Sequence, residues 1–223
     1  MNKKILISLL SISSILTFSQ QSLSINQVTG TQAVFSTGAD AKSFKYEDIS
    51  GSPYLDKKFY EAKVSDDYEK ISVRYNSYKD EVEFQKDGSP LVLPKETKFS
   101  RIEIGSPKQT IVLLETNDDL SGYFFELVNG KNSLYKKIRT KFVDFVPAPN
   151  GYTSDKPATF KMLDPVYYIK TEKGFIKKPK NQKDIVEQFP DKKENLATFF
   201  KSNKIKFDKE EDLIKLVNFL NQN

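Results

Sequence analysis

The chain of 223 residues contains no histidine and no cysteine. It therefore lacks the imidazole and thiolate groups that activate serine nucleophiles, attack substrates directly, or hold zinc and iron–sulfur clusters. Any metal would need oxygen ligands, and acid–base chemistry would rest on carboxylates, tyrosine or lysine. The sequence also has no glycine-rich phosphate loop. These absences indicate no metal site and no cofactor, and they favour a protein without catalytic activity.

Long apolar runs are equally rare, and the one at the N-terminus has the form of a signal peptide. Two lysines precede a mostly apolar run over residues 5–18, and residues 17–19 supply a small-x-small cleavage site. The run is shorter than the roughly 20 residues that a membrane-spanning helix needs. We therefore expect residues 1–19 to be removed on export, and the mature chain, beginning at Gln20, not to span a membrane.

Arginine is scarce, since only Arg74, Arg101 and Arg139 contribute to the 35 basic side chains. Proteins that read nucleic acids rely on the bidentate guanidinium group, so we expect no nucleic-acid partner. Charge is also uneven: residues 20–128 carry 13 basic and 18 acidic side chains, whereas residues 129–183 carry 13 and 4. The second stretch is expected to bind an anionic component of the cell envelope or a partner protein.

The central part of the sequence has the patterns of β-strands. Apolar and polar residues alternate over residues 71–76 and again around residues 82–84, before the tight-turn pair Asp87-Gly88. The continuous apolar run 111–114 predicts a strand that is covered on both faces. Residues 134–146 are predicted to form one long strand.

The C-terminal part changes to helical spacing. Asn181 is a candidate N-cap, Pro190 ends the first helix, and Asp191 with Glu194 has the spacing of a capping box for the next. A last helix is predicted from apolar residues at helical spacing within 213–220.

The predicted fold class is α+β, with a mainly antiparallel β-sheet, a meander of roughly 8–10 strands, followed by two or three C-terminal α-helices. The expected division is a β-rich domain over residues 20–178 and a helical segment over residues 179–223, packed on or beside the sheet.

The first candidate binding site is a compact set of polar side chains, which a ligand such as a sugar could use. Its members are Arg74, Tyr75, Asn76, Tyr78, Asp80 and Glu81. The alternative is that they are the solvent-facing ends of two strands and the turn between them, with Arg74 paired across the strands.

The second candidate is a lysine-rich surface near aromatic residues, which would hold an anionic partner. It comprises Lys170, Lys173, Lys177, Lys178, Lys180 and Lys183. The alternative is an ordinary solvated surface, because lysine is the usual basic residue throughout this chain.

The leading functional hypothesis is a non-catalytic binding or interaction protein, and two alternatives remain open. One is a carrier whose curved sheet encloses an apolar ligand, lined by Phe124, Phe125, Phe142 and Phe145. The other is a hydrolase that uses a pair of carboxylates, for which adjacent acids such as residues 118–119 are candidates.

Several segments taken together resemble exported proteins of Bacteroidota that have no assigned activity. They are the signal ending in Ser19-Gln20, the segment 51–55, the segment 74–81 and a helical tail over residues 175–220. The resemblance implies a periplasmic or extracellular location. The helical C-terminus is unlike the β-sandwich sorting domain of that group's secretion system, so the periplasm is expected.

Overall fold

The computed structural model describes residues 33–35 and 43–222, and the predicted signal peptide lies outside them. Within these residues the chain forms fourteen strands and three α-helices. The strands are β1 Ala33–Phe35, β2 Ser43–Lys45, β3 Tyr60–Lys63, β4 Ile71–Asn76, β5 Glu81–Lys86, β6 Ser89–Val92, β7 Arg101–Ile104, β8 Gln109–Leu114, β9 Gly122–Val128, β10 Ser133–Lys137, β11 Thr140–Val143, β12 Thr159–Met162, β13 Val166–Thr171 and β14 Gly174–Lys177. The helices are α1 Gln182–Gln188, α2 Lys193–Ser202 and α3 Glu210–Gln222.

Ten strands form one sheet in the order β14-β13-β10-β9-β8-β7-β3-β4-β5-β6, and every neighbouring pair is antiparallel. A meander runs from β3 to β6, and the chain then returns to the free edge of β3 as β7. A second meander runs from β7 to β10. Strands β1 and β2 pair separately as a two-stranded antiparallel sheet, and β11 and β12 form a separate hairpin. The α+β prediction is therefore confirmed.

The large sheet is rolled. Four inter-strand steps separate β4 from β9, which in a flat sheet is about 19 Å. The rings of Tyr75 on β4 and Phe125 on β9 nevertheless lie 5.4 Å apart, edge to face. Their shared face encloses the largest apolar core, which also includes Phe99 from a short 3-10 turn.

Strand β8 is buried on both faces, as its apolar run predicted. Ile111 packs in the core inside the roll. Val112 points the other way, into a second cluster with Phe124 and Tyr168. A strand between two cores has no solvent-facing side, which explains why its sequence does not alternate.

The three helices pack on the sheet rather than apart from it. Leu134 of β10 and Ile169 of β13 share one cluster with Ile185, Leu196 and Leu216 of the helices, and each of these side chains is fully buried. Asn181 caps α1 as predicted, since its side-chain oxygen accepts from the backbone N–H of Asp184 at 3.2 Å.

Two local predictions are wrong, and three strands were not foreseen. Residues 134–146 form two strands rather than one, because the backbone N–H of Thr140 donates to Ser77 O at 2.9 Å and draws β11 out of the large sheet. The expected capping box is also missing: Asp191 lies in a 3-10 turn, and α2 has no side-chain cap. Strands β2, β3 and β12 are short and carry few apolar residues, so periodicity did not reveal them.

A cluster of polar groups centred on Asp80 closes the roll. Asp80, in the β4–β5 turn, accepts hydrogen bonds through Oδ1 from Tyr75 OH at 2.7 Å and Lys137 Nζ at 2.8 Å. Its Oδ2 accepts from Lys95 Nζ at 2.9 Å, and the backbone N–H of Tyr123 donates to the same carboxylate. Lys137 lies on β10, five inter-strand steps from β4, so this Asp80 cluster joins distant parts of the sheet.

Gly122 makes the close approach of Asp80 possible. It has φ 139, and a Cβ atom built there would overlap the Asp80 carboxylate. We expect Gly122→Ala to displace Asp80 from Lys137 and to lower the free energy of unfolding by about 3 kcal/mol or more, as breaking a buried ion pair does. Urea unfolding measures this change.

Gly88→Ala is the matched control for the cost of placing a side chain on a residue with positive φ. Gly88 has φ 77, and a Cβ atom built there would meet no other atom. It should lower the free energy of unfolding by only about 1 kcal/mol. If both variants lose the same free energy of unfolding, the displacement of Asp80 contributes nothing to the loss of stability in Gly122→Ala.

Candidate functional site

The first candidate set is divided between the two faces of β4. Arg74 lies on the outer face and donates to Glu83 Oε2 from Nε at 2.8 Å and from Nη2 at 2.6 Å. Its guanidinium carbon stands 3.8 Å from the centroid of the Tyr54 ring, and Asn76 Nδ2 donates to Glu83 Oε1 at 3.0 Å. The side chains of Arg74 and Glu83 are 12% and 8% exposed, so this pair is largely withdrawn from solvent.

The other members of the set lie elsewhere. Tyr75 and Asp80 belong to the Asp80 cluster inside the roll. Tyr78 packs edge-on against Phe160 with ring centroids 5.2 Å apart, and Glu81 is half-buried, which raises its pKa. The six side chains therefore do not converge on one opening.

The lysine-rich surface also separates into parts. Lys177 Nζ lies 2.9 Å from Asp118 and 3.3 Å from Asp119, and the hydrogen bond to Asp118 raises the pKa of Lys177. Lys183 lies 3.7 Å from Glu187, one helical turn away. The negative partners of these two lysines are thus supplied by the protein itself.

Two further lysines of the set, Lys170 and Lys173, are exposed and do not line the cleft described below. Lys170 is on β13, and Lys173 lies in the β13–β14 turn, where its Nζ donates to Gln188 O at 3.0 Å. Lys178 and Lys180 line one concave site together.

That site is a cleft of about 900 Å³, which lies where three segments meet. They are the two ends of the β11–β12 hairpin, the chain that leaves β14, and the start of α3. The charged residues that line it are Arg139, Asp164, Lys178, Lys180, Asp208 and Lys209. We call this the basic cleft, because four cationic side chains face two carboxylates.

Arg139 has an unusual environment in the basic cleft. Its Nε atom is buried and has no hydrogen-bond partner among the described residues. The backbone around it is fixed, since Leu163 N donates to Arg139 O at 2.9 Å and Tyr75 OH to Ile138 O at 3.3 Å. Buried polar atoms are nearly always hydrogen-bonded, so the Nε donor of Arg139 is an exception among the described residues.

The chain that leaves β14 reaches the cleft through a strained residue. Lys178 has φ 48, in the left-handed region that glycine and asparagine prefer, and its backbone N–H donates to Tyr167 O at 2.7 Å. Two residues later, the backbone N–H of Lys180 donates to Asp184 Oδ2 at 2.8 Å. Both lysines are therefore held by backbone contacts while their side chains stay exposed.

The carboxylate at the start of α3 is already neutralised. Glu210 Oε2 accepts from Lys136 Nζ at 2.7 Å and from Tyr167 OH at 3.2 Å. Lys178, Lys180 and Lys209 have no ion-pair partner within the described ranges, 33–35 and 43–222. The basic cleft therefore keeps an excess of positive charge that the described chain does not satisfy.

Sequence reasoning found two of the four cations in this cleft and missed Arg139 and Lys209. Arg139 lies within the basic stretch 129–183, and the rarity of arginine was a signal that could have singled it out. Lys209 lies outside that stretch, and only the packing of α3 brings it to the cleft.

The exposed apolar side chains are concentrated in the β11–β12 hairpin, whose root lines the basic cleft. In the part of the chain that the structure describes, the exposed large hydrophobic residues are Val143, Phe145, Val146, Tyr152 and Met162. On the same hairpin, Lys141 and Lys161 stand directly opposite each other. Like charges directly opposite each other on neighbouring strands repel.

The residues considered for carriage of an apolar ligand lie in different environments. Phe125 packs inside the roll, and Phe124 packs in the cluster on the opposite face. Phe142 packs against a separate cluster that includes Tyr46 and Phe160, and Phe145 is exposed. The four rings do not line one cavity.

The candidate catalytic carboxylates are also held by other groups. Although burial opposes it, hydrogen bonds from Lys177, Leu120 N–H, Tyr168 and Thr116 keep the pKa of Asp118 well below its usual range. Within residues 33–35 and 43–222, no group of three acidic side chains is arranged to hold a metal ion. Over the same residues, no helix is long and apolar enough to cross a membrane.

Comparison with known proteins adds no assignment. No protein-family model matches this chain, and no curated protein or solved structure is significantly similar to it.

Two buried tyrosines of the rolled sheet differ in whether their hydroxyl is bonded. Tyr75 OH donates to Asp80, whereas Tyr123 OH is buried without a partner in the described structure. We expect Tyr75→Phe to lower the free energy of unfolding by about 2 kcal/mol, and Tyr123→Phe to be neutral or stabilising. Urea unfolding of the two variants, which remove the same atom, provides the comparison. A larger loss in Tyr123→Phe than in Tyr75→Phe would contradict the described hydrogen bonding.

The buried tyrosines also predict alkaline sensitivity. Burial raises the pKa of Tyr46, Tyr167 and Tyr168 to about 12. In the unfolded chain these groups lose their protons near pH 10, so the unfolded state is increasingly favoured as the pH rises from 10 to 12. Burial lowers the pKa of Lys137, and this shift makes the folded state more stable as the pH rises. That gain in stability ends near pH 10.5, the ordinary pKa of lysine, so it does not offset the loss at higher pH.

Stability should therefore fall between pH 10 and 12, and tyrosinate absorbance at 295 nm should rise together with the loss of structure. The same titration in urea is the control, where tyrosinate should form around pH 10. A folded protein that gives the same curve as the urea-treated one would disprove the burial effect.

Proposed function

We propose that this chain is an exported, non-catalytic binding protein of the bacterial cell envelope, and that it holds a negatively charged partner in the basic cleft. The observation that carries the proposal is the convergence of Arg139, Lys178, Lys180 and Lys209 on one concave site, where the described chain supplies no ion pair for any of them. The form of residues 1–19 and the likeness to exported proteins of Bacteroidota support the location.

Electrostatics favour an anionic partner over a neutral one. Cations that converge on a concave surface focus the positive potential and increase the local concentration of anions. Elsewhere on the protein, lysines such as Lys177 and Lys137 lie against carboxylates. The basic cleft differs from these sites in leaving its cations for a ligand.

A binding role fits the chemistry of the cleft better than catalysis does. The chain contains no histidine or cysteine, and the cleft's two carboxylates, Asp164 and Asp208, are exposed on the protein surface. Neither carboxylate lies in the desolvated surroundings in which general acids that work at neutral pH are usually found. The scarcity of arginine favours an envelope polyanion or an acidic partner protein over a nucleic acid.

The test is binding of fluorescein-labelled dextran sulfate, followed by fluorescence anisotropy at several salt concentrations. We expect Lys178→Gln with Lys180→Gln to weaken binding about tenfold or more, since each cation near an anionic surface contributes about 1 kcal/mol. Added salt should weaken binding by the wild-type protein more steeply than binding by this double variant.

Lys170→Gln with Lys183→Gln is the matched control, because it removes the same charge from the same lysine-rich segment but outside the cleft. It should change the affinity by less than about threefold. Equal losses in the two double variants would assign binding to general surface charge and overturn the proposal.

A further inference from the structure

We infer that the basic cleft receives a phosphate group attached to an organic body, and that Arg139 is the residue that binds this phosphate. The inference rests on the proposed function and names the chemical class of its ligand. Four features of the cleft carry it.

The first feature is the pairing of the chain's three arginines. Arg74 donates twice to Glu83, and Arg101 donates to Glu126 at 2.8 Å and to a second glutamate. Arg139 has no carboxylate partner within the described residues. The planar guanidinium fork matches carboxylate and phosphate groups, and Arg139 is the arginine of the three that has no such acceptor among the described residues.

The second feature is the number of charges. Lys178, Lys180 and Lys209 surround the same cleft, and the two carboxylates that line it leave a net charge of +2. A phosphate monoester carries a charge of about −1.5 to −2 at neutral pH and offers three acceptor oxygens. A single carboxylate would leave about half of this excess charge without a partner.

The third feature is size and lining. The cleft of about 900 Å³ is at the upper end of the range for small-molecule sites and is much larger than a phosphate ion alone. Its walls also include Leu163, Pro165, Pro179 and Phe207. This apolar lining accommodates a carbon skeleton next to the charged end of the ligand.

The fourth feature is the backbone of Lys178. A lysine in the left-handed region is less stable there than glycine, and such strain is often found at functional sites. Glycine at this position would relieve the strain but would remove one of the cleft's cations. The presence of lysine is therefore consistent with a role in binding rather than in folding.

The experiment measures binding of glycerol 3-phosphate, inorganic phosphate and acetate to the purified protein by isothermal titration calorimetry. We expect glycerol 3-phosphate to bind most tightly, inorganic phosphate to bind more weakly and to compete with it, and acetate to bind at least about tenfold more weakly than either. Flotation with phosphatidylglycerol vesicles, against pure phosphatidylcholine, separates a lipid head group from a soluble phosphoester as the source.

The decisive variant is Arg139→Lys, which keeps the charge and removes the fork. It should weaken glycerol 3-phosphate binding about tenfold or more, while dextran sulfate binding changes less than about threefold. Arg101→Lys is the matched control and should leave both affinities unchanged, because Arg101 pairs with glutamates outside the cleft. Unchanged phosphoester affinity in Arg139→Lys would overturn the inference.

Lys178→Gly provides a second test if Arg139→Lys does not fold. It should raise the midpoint of thermal unfolding and weaken phosphoester binding about threefold or more. Tighter or equal binding by this variant would also overturn the inference. Loss of cleft-dependent dextran sulfate binding would refute the proposed function, whereas retention of that binding with no phosphoester affinity would refute only the ligand class.

Discussion

The ion pair between Asp80 and Lys137 holds the large sheet in its rolled form, and the rest of the molecule packs against that sheet. It joins the turn after β4 to β10, which the strand order places five steps away, so it forms only when the sheet is rolled. The Lys137 side chain is 3% exposed, and burial disfavours its charged form. An ion of this kind is stable only with a close counter-ion and further hydrogen bonds, which Tyr75 and the backbone of Tyr123 provide around the same carboxylate.

The rolled sheet also creates the conditions for the basic cleft. Two residues after Lys137, the chain leaves the large sheet at Arg139, and Thr140 begins the hairpin that contacts Ser77. Arg139 therefore lies at a junction that both the roll and the hairpin hold in place. The helices complete the site, because their packing on β10 and β13 brings the start of α3 to the same junction. The cleft is in this sense a product of the whole topology rather than of one motif.

Much of the fold could be predicted from periodicity, because burial on one or both faces leaves a pattern in the sequence. Strand β8 and the apolar face of α3 are examples. The division of residues 134–146 could not be predicted in this way, because both β10 and β11 have strand-forming composition and only the contact with Ser77 separates them. The same limit applies to the site. A list of polar residues does not reveal that Arg74 already has Glu83, or that Arg139 has no comparable partner.

The absence of cysteine gives one contact in the structure a practical use. Ser77 and Thr140 are separated by 63 positions in the sequence, yet Ser77 Oγ and Thr140 Oγ1 lie 2.7 Å apart, so the two side chains point toward each other. Cysteines placed at these two positions would have no competing thiol in the chain, so oxidation could form only one intramolecular disulfide. In the chain-entropy model, a loop of this length gains about 4 kcal/mol on closure. Oxidation would thus cross-link the rolled sheet, and reduction would remove the cross-link. Comparing ligand binding in the two states would show whether binding at the basic cleft depends on motion of the roll.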